Sequence, residues 1–434
     1  MLQSDADNYF QTSDSVAEQK RRQAKADNKN GNPVALTSKI LAIHADDQDP
    51  DAVYIAEAAG TARRVVLEVR FNLLQPASTC FNLLQPASTC SNARGYSVLT
   101  TTNQTGDKST VYTGAAAPLT SITTLRSPSA EPILFAACWD KTIHSWNLKT
   151  RKPIRRYTGH SDFVKCVLAT EISGTPVLLS GSADSSIIVW NVETGRKIHT
   201  LKGHARAVLD LALDPAKTTK DELFLFSADT VRDILRWKIT LDSAGQMLAV
   251  PLRVHETSVN RLRFGDSLVV DAEDADADAD LWTASSDKTA QRLVRSRDWA
   301  SDTTLSHPDF VRDIVIDQQA GWVITACRDE EVRVWGSSSG KLACVFSGHF
   351  NEVTGLALMP PAQGSRASRV VSVSIDGTLR VWTLDPAEMK KVQEEYERLQ
   401  QGIEVEAEPE VKKESMLTAE EEAELAELMD SDDE

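Results

Sequence analysis

Residues Tyr157 to Trp190 read YTGHSDFVKCVLATEISGTPVLLSGSADSSIIVW. The stretch opens with Gly159-His160 and contains three short apolar runs, of which the last ends on Trp190. Small and polar turn residues, among them Asp184, separate the runs. Short runs that are rich in β-branched residues and bounded by Gly, Ser and Asp predict three antiparallel β-strands.

The ends of this stretch recur along the chain. Five of the eight histidines precede an apolar run in the same way: His160, His204, His255, His307 and His349. A turn Asp is followed six residues later by Trp in four pairs: Asp140 and Trp146, Asp184 and Trp190, Asp329 and Trp335, and Asp376 and Trp382. Asp287 keeps the spacing but has Leu293 at the Trp position, and Asp229 reaches Trp237 only after eight residues. Successive residues at the Trp position are 42 to 56 apart, which matches the period of a four-stranded propeller blade.

With these motifs the chain resembles the WD-repeat β-propeller family over roughly residues 33 to 382. The resemblance is carried by Gly159-His160, Gly203-His204, Gly348-His349, Trp146-Asn147, Trp190-Asn191, Trp335 and Trp382. It implies an all-β fold, a seven-bladed propeller in which the first blade has lost the anchor residues. It also implies that a His, a Ser or Thr, the turn Asp and the Trp form a buried hydrogen-bonded set within a blade.

Two blades carry all four residues of such a set. The resemblance assigns His160, Ser180 or Ser182, Asp184 and Trp190 to the first, and His349, Ser372 or Ser374, Asp376 and Trp382 to the second. Buried polar groups that satisfy one another can make a blade rigid, because an unpaired buried group is costly. Leu293 interrupts the set in its own blade, which calls the rigidity of that blade into question.

The chain divides into a polar N-terminal arm over 1–32, the propeller over 33–382, and an acidic tail, partly helical and partly disordered, over 383–434. The degenerate first blade is assigned to strands in Ser38–Ala45, Ala52–Glu57, Arg63–Arg70 and Asp107–Gly114. The last blade lacks an outer strand, which Pro33–Leu36 can supply to close the ring.

Three further segments interrupt or follow the repeats. The decamer FNLLQPASTC occurs twice, at Phe71–Cys80 and Phe81–Cys90, and is interpreted as a recent duplication or a gene-model error. Asp271–Asp280, in which every residue other than Ala is acidic, is predicted to be an exposed loop because its charges repel one another. A helix is predicted to begin at Pro386, because the first position of a helix tolerates Pro.

The charge is concentrated in the tail. Residues 383–434 carry 19 Asp and Glu against 5 Lys and Arg, so they hold −14 of the net charge of −16 and leave −2 for the rest of the chain. A propeller without a basic patch is not expected to bind nucleic acid directly.

The sequence also bounds the location of the protein. No apolar run approaches the ~20 residues that span a bilayer, and residues 1–10 do not resemble a signal peptide. We therefore expect no membrane partner and no secretion. Cys138, Cys166, Cys327 and Cys344 fall in predicted strands as small apolar residues, which favours a reducing compartment, the cytoplasm, the nucleus or both.

No catalytic chemistry is indicated. The chain lacks the Walker, H-E-x-x-H and C-x-x-C motifs. The histidines and aspartates that could form acid–base pairs are already explained by their place in the repeat. The sequence predicts no enzyme activity, no cofactor and no metal.

The sequence instead indicates a surface that binds protein partners. The resemblance implies that residues just after the Gly-His and just before the turn Asp surround the central opening on one face: Trp139, Phe163, Arg206, Phe310, Arg328 and Phe350. Aromatic residues and Arg carry much of the energy of protein interfaces, which favours a binding hot spot. The alternative is that Phe163 and Phe310 only pack at junctions between blades.

We therefore expect a non-catalytic scaffold, a monomer within a larger complex, that holds one protein on this face and a basic partner on the acidic tail. A substrate receptor of the ubiquitin system is an alternative, although residues 1–32 lack F-box character and no blade ends in W-D-x-R. A non-catalytic subunit of an RNA-modification or ribosome-assembly complex is a third possibility.

Overall fold

The computed structural model describes residues 25, 28–67, 109–126, 131–248, 250–265, 279–362 and 365–400. Both decamers, most of the acidic insert and the tail beyond residue 400 lie outside these ranges. The described residues form seven four-stranded antiparallel sheets whose first strands pack side by side as the inner strands of a propeller. The expectation of a seven-bladed, all-β propeller is confirmed.

Strand β1 spans Val34–Ala35, and the first three blades follow it along the chain. Blade 1 consists of β2 (Ile40–Ala45), β3 (Ala52–Glu57), β4 (Ala62–Val66) and β5 (Ser109–Tyr112). Blade 2 consists of β6 (Leu119–Leu125), β7 (Ile133–Cys138), β8 (Thr142–Asn147) and β9 (Pro153–Thr158). Blade 3 consists of β10 (Val164–Ile172), β11 (Thr175–Ser182), β12 (Ser186–Asn191) and β13 (Lys197–Lys202).

The remaining blades repeat this order, and the four strands of each blade are called a to d from the inside outward. Blade 4 consists of β14 (Val208–Leu213), β15 (Leu223–Asp229), β16 (Ile234–Ile239) and β17 (Ala244–Gln246). Blade 5 consists of β18 (Val259–Gly265), β19 (Asp280–Ser285), β20 (Thr289–Val294) and β21 (Ala300–Ser306). Blade 6 consists of β22 (Val311–Asp317), β23 (Trp322–Cys327), β24 (Glu331–Gly336) and β25 (Leu342–Ser347). Blade 7 consists of β26 (Val353–Met359), β27 (Arg369–Ser374), β28 (Thr378–Thr383) and β1.

The core lies between the blades. Successive residues of a strand point to opposite faces of its sheet, so each sheet contributes to two clusters. Leu178 and Trp190 of blade 3 pack with Phe135 of blade 2, whereas Leu179 packs with Leu225 of blade 4. This arrangement requires strands with apolar residues on both faces, and the apolar runs of the repeats provide such strands.

The ring closes with the N-terminal strand. Val34 and Ala35 pair with Leu379 and Thr378 of β28, as expected for Pro33–Leu36.

Backbone groups that precede this strand also bind blade 7. The Val381 amide donates to the Gly31 carbonyl at 2.7 Å, and the buried Arg380 donates from Nη1 to the carbonyl oxygens of Asn28 and Asn30. The closure therefore extends beyond the two-residue strand.

A helix follows the last blade. Helix α1 spans Pro386–Gln400, so the helix predicted from Pro386 is confirmed. The Asp385 carboxylate caps it by accepting from the backbone amides of the second and third residues after it, at 2.9 and 3.1 Å. Met389 is buried in one cluster with Trp382. The chain forms a compact unit to Gln393, and a second unit from residue 394 is described only over the rest of this helix.

The prediction that the whole acidic insert is an exposed loop is wrong at its end. Asp280 begins strand β19 and is buried. Its carboxylate accepts from Arg292 of strand β20 at 2.6 Å, so the neighbouring strand supplies the counter-charge that burial requires.

Candidate partner-binding face

One end of every blade is closed by the same backbone hydrogen bond. The amide of the residue after strand b donates to the carbonyl of the residue before strand a, at 2.8 to 3.1 Å. The seven donor and acceptor pairs are Ala58 and Lys39, Trp139 and Pro118, Ala183 and Phe163, Thr230 and Ala207, Ser286 and Ser258, Arg328 and Phe310, and Ile375 and Glu352. These fourteen positions define what is called the upper face below, and they bring the loop before strand a against the turn after strand b.

In blade 3 a buried polar set lies directly beneath this face. His160 donates from Nδ1 to Asp184 at 2.9 Å, and its Nε2 lies 2.8 Å from the Ser180 hydroxyl. The Trp190 indole donates to the same hydroxyl at 2.8 Å. Of the two serines left open by the sequence, Ser180 is the member of the set, because Ser182 donates to backbone carbonyls of the loop before strand a.

Blade 7 repeats this geometry. His349 lies 3.0 Å from Asp376 and 2.8 Å from Ser372, which also accepts from Trp382 at 2.8 Å. Ser374 donates instead to a backbone carbonyl.

Blade 4 holds a third complete set that the sequence spacing did not reveal. His204 lies 3.0 Å from Asp229 and 2.6 Å from Ser227, which accepts from Trp237 at 2.7 Å. The two extra residues of this turn fold around the Asp229 carboxylate, which accepts three backbone amides at 2.9 to 3.0 Å.

Blades 5 and 6 modify the set in different ways. In blade 5, His255 still lies 2.8 Å from Asp287 and 2.7 Å from a Thr hydroxyl, so Leu293 removes only the indole link. In blade 6, His307 donates to the Leu305 carbonyl rather than to an Asp. The turn residue Asp329 instead accepts from Arg333 at 2.6 Å.

The electrostatics of the sets indicate a structural role. Burial lowers the pKa of His160 and of His349 despite the adjacent carboxylates, so both imidazoles are neutral near pH 7. Burial alone would raise the pKa of Asp184, but hydrogen bonds from Ser186, the Ser161 amide and His160 outweigh it and lower that pKa to about 2. Each donor already faces an acceptor inside the blade, so the sets make the face rigid.

Two of the six predicted partner-binding residues stack on each other across adjacent blades. Trp139 of blade 2 and Phe163 of blade 3 have ring centroids 5.6 Å apart and an interplanar angle of 23°. Trp139 is 41% exposed and Phe163 is 40% exposed, so neither is a core residue of the blade junction. The Lys165 ammonium lies 5.6 Å from the Trp139 ring and 5.8 Å from the Phe163 ring. Lys165 was missed because it lies on strand a, outside the loop positions that the family pattern assigns.

The other four predicted residues are distributed over three blades. Phe310 and Arg328 meet in blade 6, where the guanidinium lies 5.3 Å from the ring centroid. Asp309 flanks them at 4.0 Å from Arg328. Arg206 is exposed before strand a of blade 4, and Phe350 is half-buried in blade 7.

The seven sheets, the repeated upper-face bond and the His–Asp–Trp sets define a WD40-type β-propeller. The family model described as WD domain, G-beta repeat, matches residues 151–191, 300–336 and 340–383. An uncharacterized WD repeat-containing protein of Schizosaccharomyces pombe is 30% identical over 428 residues, which cover 97% of each chain. The chain therefore belongs to the WD repeat family. Within the described ranges, no helix has the length and apolar character needed to cross a membrane.

Proposed function

We propose that this propeller is a non-catalytic scaffold that binds a protein partner through its upper face. The observation that supports this most strongly is the exposed stack of Trp139 on Phe163. Two large aromatic rings left two-fifths exposed keep apolar area available for burial, and their stacking fixes them before a partner arrives. Aromatic side chains held in this way are typical anchors of protein interfaces.

Phe310 and Arg328 supply a second anchor in blade 6. The Arg328 side chain is half-exposed and lies over the Phe310 ring, and Asp309 provides a partial counter-charge at 4.0 Å. An Arg held over an aromatic ring offers a planar donor and an apolar surface together. A partner that reaches both anchors would cross the ring from blades 2 and 3 to blade 6.

The acidic tail would add a second, electrostatic contact. Residues 383–434 carry a balance of −14, so a basic partner would be attracted to them and the attraction would weaken with added salt. We propose the cytoplasm, the nucleus or both as the location of the scaffold. The four described cysteines are free and buried, which supports a reducing compartment.

Affinity purification of the tagged full-length chain, with quantitative mass spectrometry, tests the proposal. Binding of the recovered partner to W139A, F163A and R328A should each weaken by about 2 kcal/mol, roughly thirtyfold in Kd. The control I154A removes a similarly exposed apolar side chain from the outer strand of blade 2 and should bind as the wild type does.

Unchanged affinity of all three upper-face variants would overturn the proposal. Loss of binding in I154A to the same extent would also overturn it, since the effect would not be specific to the face. The recovered partners separate the scaffold from its alternatives, because a ubiquitin-ligase adaptor or an RNA-modifying enzyme would be identified directly.

A further inference from the structure

Blade 2 lacks the hydrogen-bonded set of His, Ser or Thr, Asp and Trp and has a different group of polar residues in its place. Ala115 lies four residues before strand a, where His160 lies in blade 3, and Ala136 takes the place of Ser180 on strand b. The Trp146 indole therefore donates to a backbone carbonyl at 2.9 Å.

Three potential metal ligands meet in blade 2, at the end of strand b and on the neighbouring strand c. The Cys138 thiol, the Asp140 carboxylate and the His144 imidazole place their ligand atoms within 4.8 Å of one another. Cys138 ends strand b, Asp140 lies in the following turn, and His144 lies on strand c, two residues before Trp146. Cys138 and His144 are buried, whereas Asp140 is half-buried and gives access from solvent. The sequence motifs do not indicate this group, because it contains neither a pair of histidines nor a pair of cysteines.

We propose that Cys138, Asp140 and His144 bind a Zn²⁺ ion through Sγ, a carboxylate oxygen and Nε2. Thiolate, carboxylate and imidazole are the three ligand types that zinc takes from proteins, whereas Mg²⁺ and Ca²⁺ prefer oxygen alone. Three protein ligands leave a fourth position of a tetrahedral ion for water or for a group of a partner.

The surroundings orient the ligands for this role. The Thr142 hydroxyl and amide both donate to Asp140 Oδ1, at 2.6 and 2.9 Å. Oδ2 is thereby left on the side of His144, whose Nε2 lies 3.0 Å away. Hydrogen bonds that fix a ligating carboxylate in this way are a usual part of metal sites. Burial raises the pKa of the Cys138 thiol to about 11, so zinc entry must break its S–H bond and release the proton to solvent as the Zn–S bond forms. His144 Nε2 also carries a proton while it donates to the Asp140 carboxylate. As the Zn–N bond forms, this proton leaves Nε2 and Nδ1 takes up a proton from solvent, so the imidazole stays neutral.

Blade 6 provides a comparison within the same molecule. Cys327 and Asp329 occupy the positions of Cys138 and Asp140, but Arg333 replaces His144 and donates to Asp329 at 2.6 Å. A guanidinium has no free lone pair for a metal, so blade 6 cannot form the site. The opposing explanation is that His144, like Arg333, only donates a hydrogen bond to the turn Asp. The two explanations differ in whether a metal binds.

Cobalt and zinc titrations of the chelator-treated full-length chain decide between them. One Co²⁺ should bind per chain with thiolate-to-cobalt absorption in the near ultraviolet, and Zn²⁺ should displace it. C138S and H144Q should lose this absorption, whereas C327S and the double variant C80S/C90S should keep it. T142V, which removes only the hydroxyl that orients Asp140, should weaken zinc binding by about tenfold or more.

H144R separates metal binding from folding, because it gives blade 2 the combination that blade 6 already uses. Its thermal unfolding should stay near that of the wild type while the cobalt absorption disappears. Absence of the absorption in the wild type, its persistence in C138S or H144Q, or its loss in C327S would each overturn the zinc site.

Discussion

The Thr325 hydroxyl accepts a hydrogen bond from the Trp335 indole at 2.9 Å. The same oxygen lies 2.8 Å from His307 Nε2, so a single hydroxyl satisfies two buried groups of blade 6. In blade 5 the matching Thr283 bonds to a histidine at 2.7 Å, but Leu293 stands at the Trp position. The two threonines therefore differ by one buried partner.

T325V and T283V should differ in cost for this reason. Val keeps the shape of Thr but removes the hydroxyl, which leaves one buried group unpaired in blade 5 and two in blade 6. Each unpaired group costs about 1–3 kcal/mol, so T325V should lower the free energy of unfolding by that much more than T283V. Urea unfolding of both variants measures the difference. Equal losses would mean that the indole bond contributes nothing to stability.

The spacing of His, Asp and Trp was sufficient to predict blades 2 to 7, because each of these blades keeps at least two of the three residues. The strand that closes the ring was predictable as well, because blade 7 ends at Trp382 without an outer strand and Pro33–Leu36 can supply it. The sets of blades 3 and 7 follow from residues inside one repeat, and the structure resolves only which Ser takes part.

The spacing of residues along the chain could not predict which side chain hydrogen-bonds to a turn Asp. Asp329 has the same sequence separation from its Trp as Asp184 has. Asp184 nevertheless pairs with the histidine of its blade, whereas Asp329 accepts a hydrogen bond from Arg333 on strand c. The stack of Trp139 on Phe163 was also hidden, because it depends on how two neighbouring blades meet and no single repeat contains both residues.

The N-terminal closure can be tested at a glycine. Gly31 has φ of 70°, and a Cβ there would lie 2.9 Å from the Trp382 ring. Gly174 has nearly the same φ of 72° but nothing within 4 Å of an added Cβ. G174A should cost about 1 kcal/mol from backbone conformation alone, and G31A about 1–3 kcal/mol more from overpacking. The unfolding free energies of the two variants give the comparison, and a G31A no worse than G174A would show that this segment does not pack on Trp382.

The pH dependence of stability should reflect His307. Burial, with Arg333 adding to it, lowers the pKa of His307 to about 4, against about 6.5 in an unfolded chain. Between these values the unfolded state binds a proton that the folded state does not. The contribution of His307 to the free energy of unfolding is therefore fully present above about pH 6.5. It is lost as the pH falls towards 4, by about 3 kcal/mol in all.

H307Q removes this titration, so its unfolding free energy should fall less steeply than that of the wild type between pH 6.5 and 4. Only the slopes are compared, because Gln also alters the contact with Thr325 at every pH. Parallel pH profiles for the two proteins would contradict the assignment of a lowered pKa to His307.

The Trp139 and Phe163 rings should be coupled to each other but contribute little to the stability of the propeller. Both are two-fifths exposed, so W139A and F163A should each cost about 1 kcal/mol or less, whereas F135A should cost about 3–5 kcal/mol because Phe135 is fully buried. A double-mutant cycle of W139A and F163A on unfolding should give a coupling energy of about 0.5–1 kcal/mol, in the lower part of the usual range for an aromatic pair. Losses for W139A and F163A as large as that of F135A would make the pair part of the blade junction, and a partner-binding role for these rings would then have no support.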